Sequence, residues 1–242
     1  MNKQQIGNIL KFYNHSHCFF NFDWDEIEDF FYDSFLFKEG VIFWKPLNNR
    51  LFFISESLEA LLVSLKKIPL ESYSLCLENI SESQSGFIKE SGLNFKKYLK
   101  FSTNSLPIKT LPIETTFAVE VDLLELSQLL KKYFPHSYEP YEKDWIRQRI
   151  HSKEILVKKD LNKITSLCIF KINQDIYEGY YTLSTKKDSN PFNLLLESFS
   201  LADKRGACKG LCFIEERDTT SIKMHKLLKF QAQDLAMYGI WK

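Results

Sequence analysis

The sequence predicts an α/β (α+β) protein whose mixed, mostly antiparallel sheet is flanked by helices and preceded by a smaller α+β domain. Two observations predict this class. Short strand-like runs alternate with segments whose apolar residues recur at helical spacing, and 44% of the 242 residues are hydrophobic, which is enough for a packed core. A stretch from Ser102 to Thr116 that holds two prolines and several Ser and Thr residues interrupts this periodicity. We therefore expect one domain over residues 1–110 and a second over residues 111–242.

The N-terminal half predicts two strands joined by an Asn-Asn turn, a helix that ends at Pro69, a buried strand, a second helix and a closing strand. In this order the segments are GVIFWKPL (40–47), NNRLFFIS (48–55), SLEALLVSLKKIP (57–69), SYSLCLE (72–78), SQSGFIKESGLNF (83–95) and YLKFST (98–103).

The C-terminal half predicts the order strand, two helices, three strands, helix, strand, helix, strand. Asn190 is a candidate N-cap of the third of these helices, Pro191 suits its first position, and Gly206 lies near its end. The segments are FAVEV (117–121), DLLELSQLLKKYF (122–134), YEPYEKDWIRQRI (138–150), EILVKKD (154–160), ITSLCIFKIN (164–173), DIYEGYYTLST (175–185), NPFNLLLESFSLADKRGA (190–207), CKGLCFIEE (208–216), a helix from residue 218 to 230 and AQDLAMYGIWK (232–242).

The most informative segment is LCFIEERDTTSIKMHKLLKF, from Leu211 to Phe230. Asp218 can accept backbone N–H groups as an N-cap, Ser221 is small enough for close packing, and His225 follows about two helical turns after the cap. The segment resembles the last strand–helix unit of the GNAT acetyltransferase family, Asn-x-x-Ala-x-x-x-Tyr-x-x-x-Gly-Phe. In this chain the five pattern positions hold Asp218, Ser221, His225, Lys229 and Phe230. The element order from residue 117 to 242 also matches that of the family.

The N-terminal half resembles a shorter copy of the same plan. Gly92-Leu93 stands at the place of Lys229-Phe230, and SLCLENI is similar to GLCFIEE. Two interpretations stay open for residues 1–110: a tandem, partly degenerate GNAT copy, or an unrelated α+β domain.

The resemblance implies an N-acyltransferase that moves an acetyl or other acyl group from acyl-CoA to a small-molecule or peptide amine. In the family, the backbone of the fourth strand holds the pantetheine and the thioester carbonyl, and a glycine-rich loop after it binds the pyrophosphate. The strand positions correspond to Tyr180, Tyr181, Thr182 and Leu183. The loop corresponds to residues 185–193, which contain no glycine; its candidate ligands are Lys186, Lys187, Ser189 and Asn190. Asp218 and Ser221 complete the predicted cofactor-binding set. A simple capped helix start that binds no nucleotide is the alternative interpretation of this loop.

Acyl transfer from a thioester needs a base for the amine and an acid for the thiolate. His225 takes the place of the tyrosine acid of the family, and an imidazole can supply a proton near neutral pH. Tyr238 on the last strand is a second candidate acid. Glu178 is the candidate base, and strand alternation places it on one face with Tyr180, whereas Tyr181 would lie on the other. A packed His225 and a solvated Glu178 are the structural alternatives.

Composition argues against several other classes. Lys+Arg number 32 and Asp+Glu 31, so no basic excess favours nucleic acid. No apolar run suits a membrane span or signal peptide, so we expect a cytoplasmic protein without a membrane partner. The five cysteines lack C-x-x-C spacing, and His15, His17 and Cys18 have no second cluster to complete a zinc site, so no metal is expected.

Some partners are left open by the sequence. The acidic run from Asp23 to Ser34 predicts an amphipathic helix with a solvated face, or a site for a basic partner. Oligomers are possible. If the GNAT pattern does not carry catalysis, the chain would serve as a binding or scaffold module.

Overall fold

The computed structural model describes residues 19–20, 33–45, 49–108, 115–135, 142–186 and 191–242. The chain packs into two compact units: unit 1 is residues 1–97 with 234–242, and unit 2 is residues 98–233. The predicted domain limits of 1–110 and 111–242 stay a prediction, because compact packing does not show which segment folds alone.

The described strands are β1 (Phe19–Phe20), β2 (Asp33–Phe37), β3 (Gly40–Lys45), β4 (Arg50–Ser55), β5 (Ser74–Ile80), β6 (Asn94–Thr103), β7 (Thr116–Phe117), β8 (Ile155–Asp160), β9 (Lys163–Asn173), β10 (Ile176–Ser184), β11 (Lys209–Glu215) and β12 (Gln231–Trp241). The described helices are α1 (Leu58–Lys67), α2 (Glu82–Glu90), α3 (Leu123–Tyr133), α4 (Lys143–His151), α5 (Pro191–Asp203) and α6 (Thr219–Leu227), with a 3-10 helix at Glu120–Asp122.

Unit 1 is a sheet in the order β2-β3-β4-β5, completed by the C-terminal part of β12. The strands β2, β3 and β4 are antiparallel, and β4 is parallel to β5 through the pair Arg50↔Ser74. The apolar face of α1 packs in the core of this unit, because its leucines recur at helical spacing: Leu58, Leu61, Leu62 and Leu65. Ser57 caps this helix by accepting a hydrogen bond from the Ala60 N–H.

Unit 2 is a sheet in the order β6-β11-β10-β9-β8-β7. All its neighbouring strands are antiparallel except β10 and β11. Alternate residues of β9 point to opposite faces: Cys168 and Phe170 pack in a cluster with α5, and Leu167 and Ile169 pack in a second cluster with α3 and α4. The predicted class, a mixed sheet flanked by helices, is confirmed.

The predicted strand over residues 117–121 is wrong in its extent. The strand β7 ends at Phe117, and the chain turns into the 3-10 helix instead. The carboxylate of Asp122 favours this turn, because it accepts a hydrogen bond from the Val119 N–H at 3.0 Å and binds the Lys159 ammonium at 2.7 Å. The acidic run at 23–34 lies, apart from Asp33 and Ser34, outside the described residues. None of the described helices is long and apolar enough to cross a membrane.

Candidate active site

The parallel strands β10 and β11 separate halfway along their length. Their register pairs run from Ile176↔Lys209 to Gly179↔Cys212, although β10 continues to Ser184 and β11 to Glu215. On its other edge β11 stays paired with β6 through Glu215↔Tyr98. Beyond Gly179 the described register of β10 therefore continues with β9 alone.

A β-bulge lies where the two strands separate. Gly179 pairs with Phe170 and Tyr181 with Ile169, so Tyr180 is the extra residue. A bulge bends its strand and re-aims the adjacent side chains. The glycine at 179 is a sequence signal that our sequence interpretation did not use, since a glycine inside a strand often marks a bulge.

Unit 1 has the corresponding parallel pair, but its gap is occupied. The strands β4 and β5 share the single pair Arg50↔Ser74 before they separate. Because β3 pairs with one edge of β4, β1 pairs with the other edge, through Phe19↔Ser55 and Phe20↔Ile54. Among the described strands, none is inserted into the gap of unit 2.

Glu178 and Tyr180 are brought together at this bulge. The Tyr180 hydroxyl donates a hydrogen bond to Glu178 Oε2 at 3.0 Å, and the Asn173 amide donates one to Glu178 Oε1 at 3.3 Å. Glu178 is half-buried. Both carboxylate oxygens are therefore oriented by neighbouring donors.

Aromatic rings from two helices continue the site, and the sequence interpretation missed them. The Trp145 ring of α4 meets the Tyr180 ring edge-on at 5.6 Å between centroids and the Tyr181 ring at 6.3 Å. The Phe134 ring packs against Tyr181 at 4.8 Å. The prediction that Tyr180 and Tyr181 face opposite sides is wrong, because the bulge turns both toward Trp145.

His225 is buried, with 8% of its surface exposed, between the rings of Phe101 and Phe230. Its Nδ1 lies 2.8 Å from the Ser221 carbonyl oxygen, which can only accept, so Nδ1 carries the proton and Nε2 carries the lone pair in the neutral ring. Burial lowers the pKa of His225 below its ordinary value, against a smaller opposing effect of the Ser221 carbonyl. The neutral form is thus favoured, and an acid role needs prior protonation of Nε2.

Asp218 caps α6 as predicted. Its Oδ1 accepts a hydrogen bond from the Ser221 N–H at 3.0 Å, and its Oδ2 accepts one from the Ser221 hydroxyl at 2.6 Å. These contacts explain why both residues stand at these positions of the motif. Their participation in cofactor binding stays a prediction.

The remaining predicted residues are spread over both units. Thr182 and Leu183 lie on the separated part of β10, where the Thr182 hydroxyl contacts the Cys168 sulfur at 3.6 Å. Lys186 forms an ion pair with Asp160. Tyr238 is fully buried in the core of unit 1, with its ring 5.7 Å from that of Phe95.

Four further candidates lie outside the described residues: Lys187, Ser189, Asn190 and the possible metal cluster at 15–18. Within the described ranges, no group of His, Cys, Asp and Glu residues could hold a metal ion.

Solved structures of acetyltransferases are similar to this architecture, an open mixed sheet flanked by helices. An acetyltransferase from the GNAT family of Novosphingobium aromaticivorans is similar with a TM-score of 0.58 and 9% identity, over 83% of this chain and 87% of that chain. A GCN5-related N-acetyltransferase from Sphaerobacter thermophilus is similar with a TM-score of 0.56 and 12% identity, over 91% of this chain and 83% of that chain. A tandem GNAT protein from the clavulanic acid biosynthesis pathway is similar with a TM-score of 0.51 and 7% identity, over 84% of this chain and 78% of that chain.

No family model matches the sequence, and no curated protein matches it. The chain has the GNAT fold, as these structures show.

Proposed function

We propose that the protein is an N-acyltransferase that moves an acetyl or other acyl group from acyl-CoA to an amine. The observation that carries this proposal is the separation of β10 from β11 after Gly179↔Cys212, with the Tyr180 bulge at its start. Backbone N–H groups over residues 180–183 are fixed in direction by the pairing of β10 with β9. In this proposal the groups that point away from β9 bind the pantetheine and stabilise the oxygen of the thioester carbonyl as charge develops on it.

Glu178 acts as the base in this proposal. It accepts a proton from the amine as the amine nitrogen forms a bond to the thioester carbon, and the carbon–sulfur bond then breaks. The leaving thiolate takes one proton, so the products are an amide and free CoA. Glu178 suits this step because Asn173 and Tyr180 hold its oxygens beside the open edge of β10.

His225 is the proposed source of the thiolate proton. Because burial lowers the pKa of His225, the step requires Nε2 to be protonated first, and we expect turnover by this route to fall as pH rises through that lowered pKa, which lies below the ordinary histidine value of about 6.5. His225→Phe should reduce turnover far more than binding of acyl-CoA. Wild-type turnover in this variant would exclude the acid role.

The first experiment is calorimetric titration with acetyl-CoA and with free CoA. Saturable binding in the micromolar range would support the proposal. Lys186→Ala should weaken binding if the loop holds the pyrophosphate, whereas Lys163→Ala, an exposed lysine on β9, should leave it unchanged. An absence of heat and of thermal stabilisation at millimolar ligand would contradict the transferase.

A binding or scaffold module is the second candidate function. The observation that favours it is the absence of glycine from residues 185–193, together with the replaced motif positions Asp218, His225 and Lys229. Protein partners recovered with a chain that binds no CoA would support this candidate.

The N-terminal half is, in the same proposal, a second and incomplete copy of the fold. From β3 to β6 its elements follow the order strand, strand, helix, strand, helix, strand, which is also the order from β9 to β12. Gly92 and Lys229, which follow α2 and α6, both adopt positive φ angles, of 72° and 63°. The occupied gap between β4 and β5 supports assigning acyl-CoA to unit 2.

A further inference from the structure

Glu178 stands beside a wall of aromatic rings on one face of unit 2. This wall consists of Tyr180, Trp145, Tyr181 and Phe134, linked by ring-centroid distances of 4.8 to 6.3 Å. Tyr181 is buried and holds the base of the wall, whereas the other three are partly exposed. A carboxylate next to partly exposed rings is the combination that binds an organic ammonium group, since the rings attract the cation and contact its apolar substituent.

The charges around the wall leave this carboxylate available to a cation. The described contacts of Glu178 are two hydrogen bonds, from Asn173 and Tyr180. Arg149 lies over the Trp145 ring at 5.8 Å, but its charge is compensated by Glu154 at 2.7 Å. Lys171 is the cross-strand partner of Glu178 on the same face, but the described contacts include no ion pair between the two, so the carboxylate can still accept an organic ammonium.

Glu178 and the aromatic wall lie beside the bulge of β10, where the acceptor amine would meet the thioester. Glu178 immediately precedes the residues at which β10 separates from β11. An amine held by Glu178 lies next to the strand edge that would bind a thioester. The wall therefore contacts the part of the acceptor that does not react.

Resting on the proposed function, we infer that the acyl acceptor is a primary amine with a flat apolar substituent and without a carboxylate next to the amine. The ammonium binds Glu178 and loses one proton to solvent before its nitrogen attacks, and the substituent packs on Trp145 and Tyr180. If the acceptor carried a carboxylate next to its amine, that carboxylate would lie close to the Glu178 carboxylate. The two negative charges would repel each other. Amino acids and strongly hydroxylated amines are therefore poor acceptors.

Two matched pairs of compounds test this inference: phenethylamine with phenylalanine, and tyramine with tyrosine. Calorimetry in the presence of free CoA measures their binding without chemistry. We expect the amine of each pair to bind at least about tenfold more tightly than its amino acid, which corresponds to about 1.4 kcal/mol. Glu178→Gln should remove most of this preference. Equal affinity within each pair, or an unchanged preference in Glu178→Gln, would overturn the inference.

Trp145→Leu tests the aromatic wall. We expect it to weaken phenethylamine binding by about five- to tenfold, through loss of the ring contact, and Trp145→Phe should restore most of it. Tyr133→Leu, which removes an exposed tyrosine on α3, should leave binding unchanged. If Trp145→Leu disturbs folding, Tyr180→Leu, which removes the other ring that contacts the substituent, serves as the second variant and should weaken binding to a similar extent. Unchanged binding in a folded Trp145→Leu protein would exclude the wall.

Steady-state rates separate this inference from the proposed function. Amine binding with the expected pattern but without consumption of acetyl-CoA would retain the recognition site and overturn the transferase. Equal turnover of glucosamine and phenethylamine would retain the transferase and overturn the recognition site.

Discussion

At the residue scale, His225 shows how packing changes the chemistry available to a motif position. A tyrosine in the family position keeps its proton at neutral pH, whereas the buried imidazole favours its neutral form and directs Nδ1–H to the Ser221 carbonyl. The sequence identified this residue and its helix, and Asp218 as the cap. It could not show the burial of His225, because the Phe101 ring that covers it comes from the distant strand β6.

The lowered pKa of His225 predicts a pH-dependent stability. The folded state binds this proton more weakly than the unfolded chain, whose histidine titrates near 6.5. The contribution of neutral His225 to the free energy of unfolding is therefore fully present above about pH 6.5, and it is lost as pH falls through the lower pKa of the folded state. Between about pH 7.5 and pH 5, the melting temperature of the wild type should fall more than that of His225→Gln.

The control for this measurement is His151→Gln. His151 is an exposed residue at the end of α4, so its replacement should preserve the wild-type slope. Parallel melting curves for the wild type and His225→Gln over this pH range would contradict the assignment of His225 as a buried, neutral residue.

At the element scale, α6 ends in a Schellman motif. The Phe230 N–H donates to the His225 carbonyl and the Lys229 N–H donates to the Lys226 carbonyl, both at 3.0 Å. Lys229 occupies the left-handed position with φ 63°, where the family pattern has glycine. The motif survives this replacement because hydrogen bonds fix the conformation, although a side chain is disfavoured there.

Lys229→Gly should therefore stabilise the protein. Relief of the left-handed strain is worth about 1 kcal/mol, and the more flexible unfolded chain offsets part of it, so we expect a net gain of about 0.5 kcal/mol in urea unfolding. Lys226→Gly, inside the same helix, should instead cost about 1 kcal/mol. A loss of stability in Lys229→Gly would show that the lysine side chain makes a compensating contribution.

The limits of sequence-based prediction are also clearest among these elements. Helices with strong apolar periodicity, such as α1 and α3, begin and end within a few residues of the predicted positions. The predicted strand at 117–121 failed where Asp122 forms contacts with Val119 and with the distant Lys159. The role of Trp145 was missed for a similar reason, because its neighbours Tyr180 and Tyr181 lie far along the chain.

At the scale of the whole molecule, each unit contains a strand from the other half of the sequence. The residues of β12 from Ala236 pair with β5 in unit 1, and β6 pairs with β11 in unit 2 through residues 98–103. Local patterns predicted the existence of these strands but not their partners, since pairing over such separations leaves no periodic signal.

Because β12 completes the sheet of unit 1, we predict that a substitution in the last residues of β12 destabilises strands early in the chain. Ile240 is buried opposite Leu75, and Ile240→Ala should cost about 2–4 kcal/mol. Hydrogen exchange should show faster exchange in β4 and β5, whereas β8 and β9 of unit 2 should retain their protection. Leu235→Ala, at a partly exposed position of the same strand, is the control. Uniformly faster exchange in both units would show that they unfold together.

Because unit 1 needs a strand from the other half of the sequence, its sheet stays incomplete during much of synthesis. A ribosome adds residues 234–242 long after the strands β2 to β5, whose sheet these residues complete. Until these residues emerge, the nascent chain exposes the edge of β5 and an apolar face that includes Leu75 and Leu77. Nascent chains of this protein should therefore depend on chaperones until residues 234–242 have emerged, even while the strands of unit 2 are already able to pair.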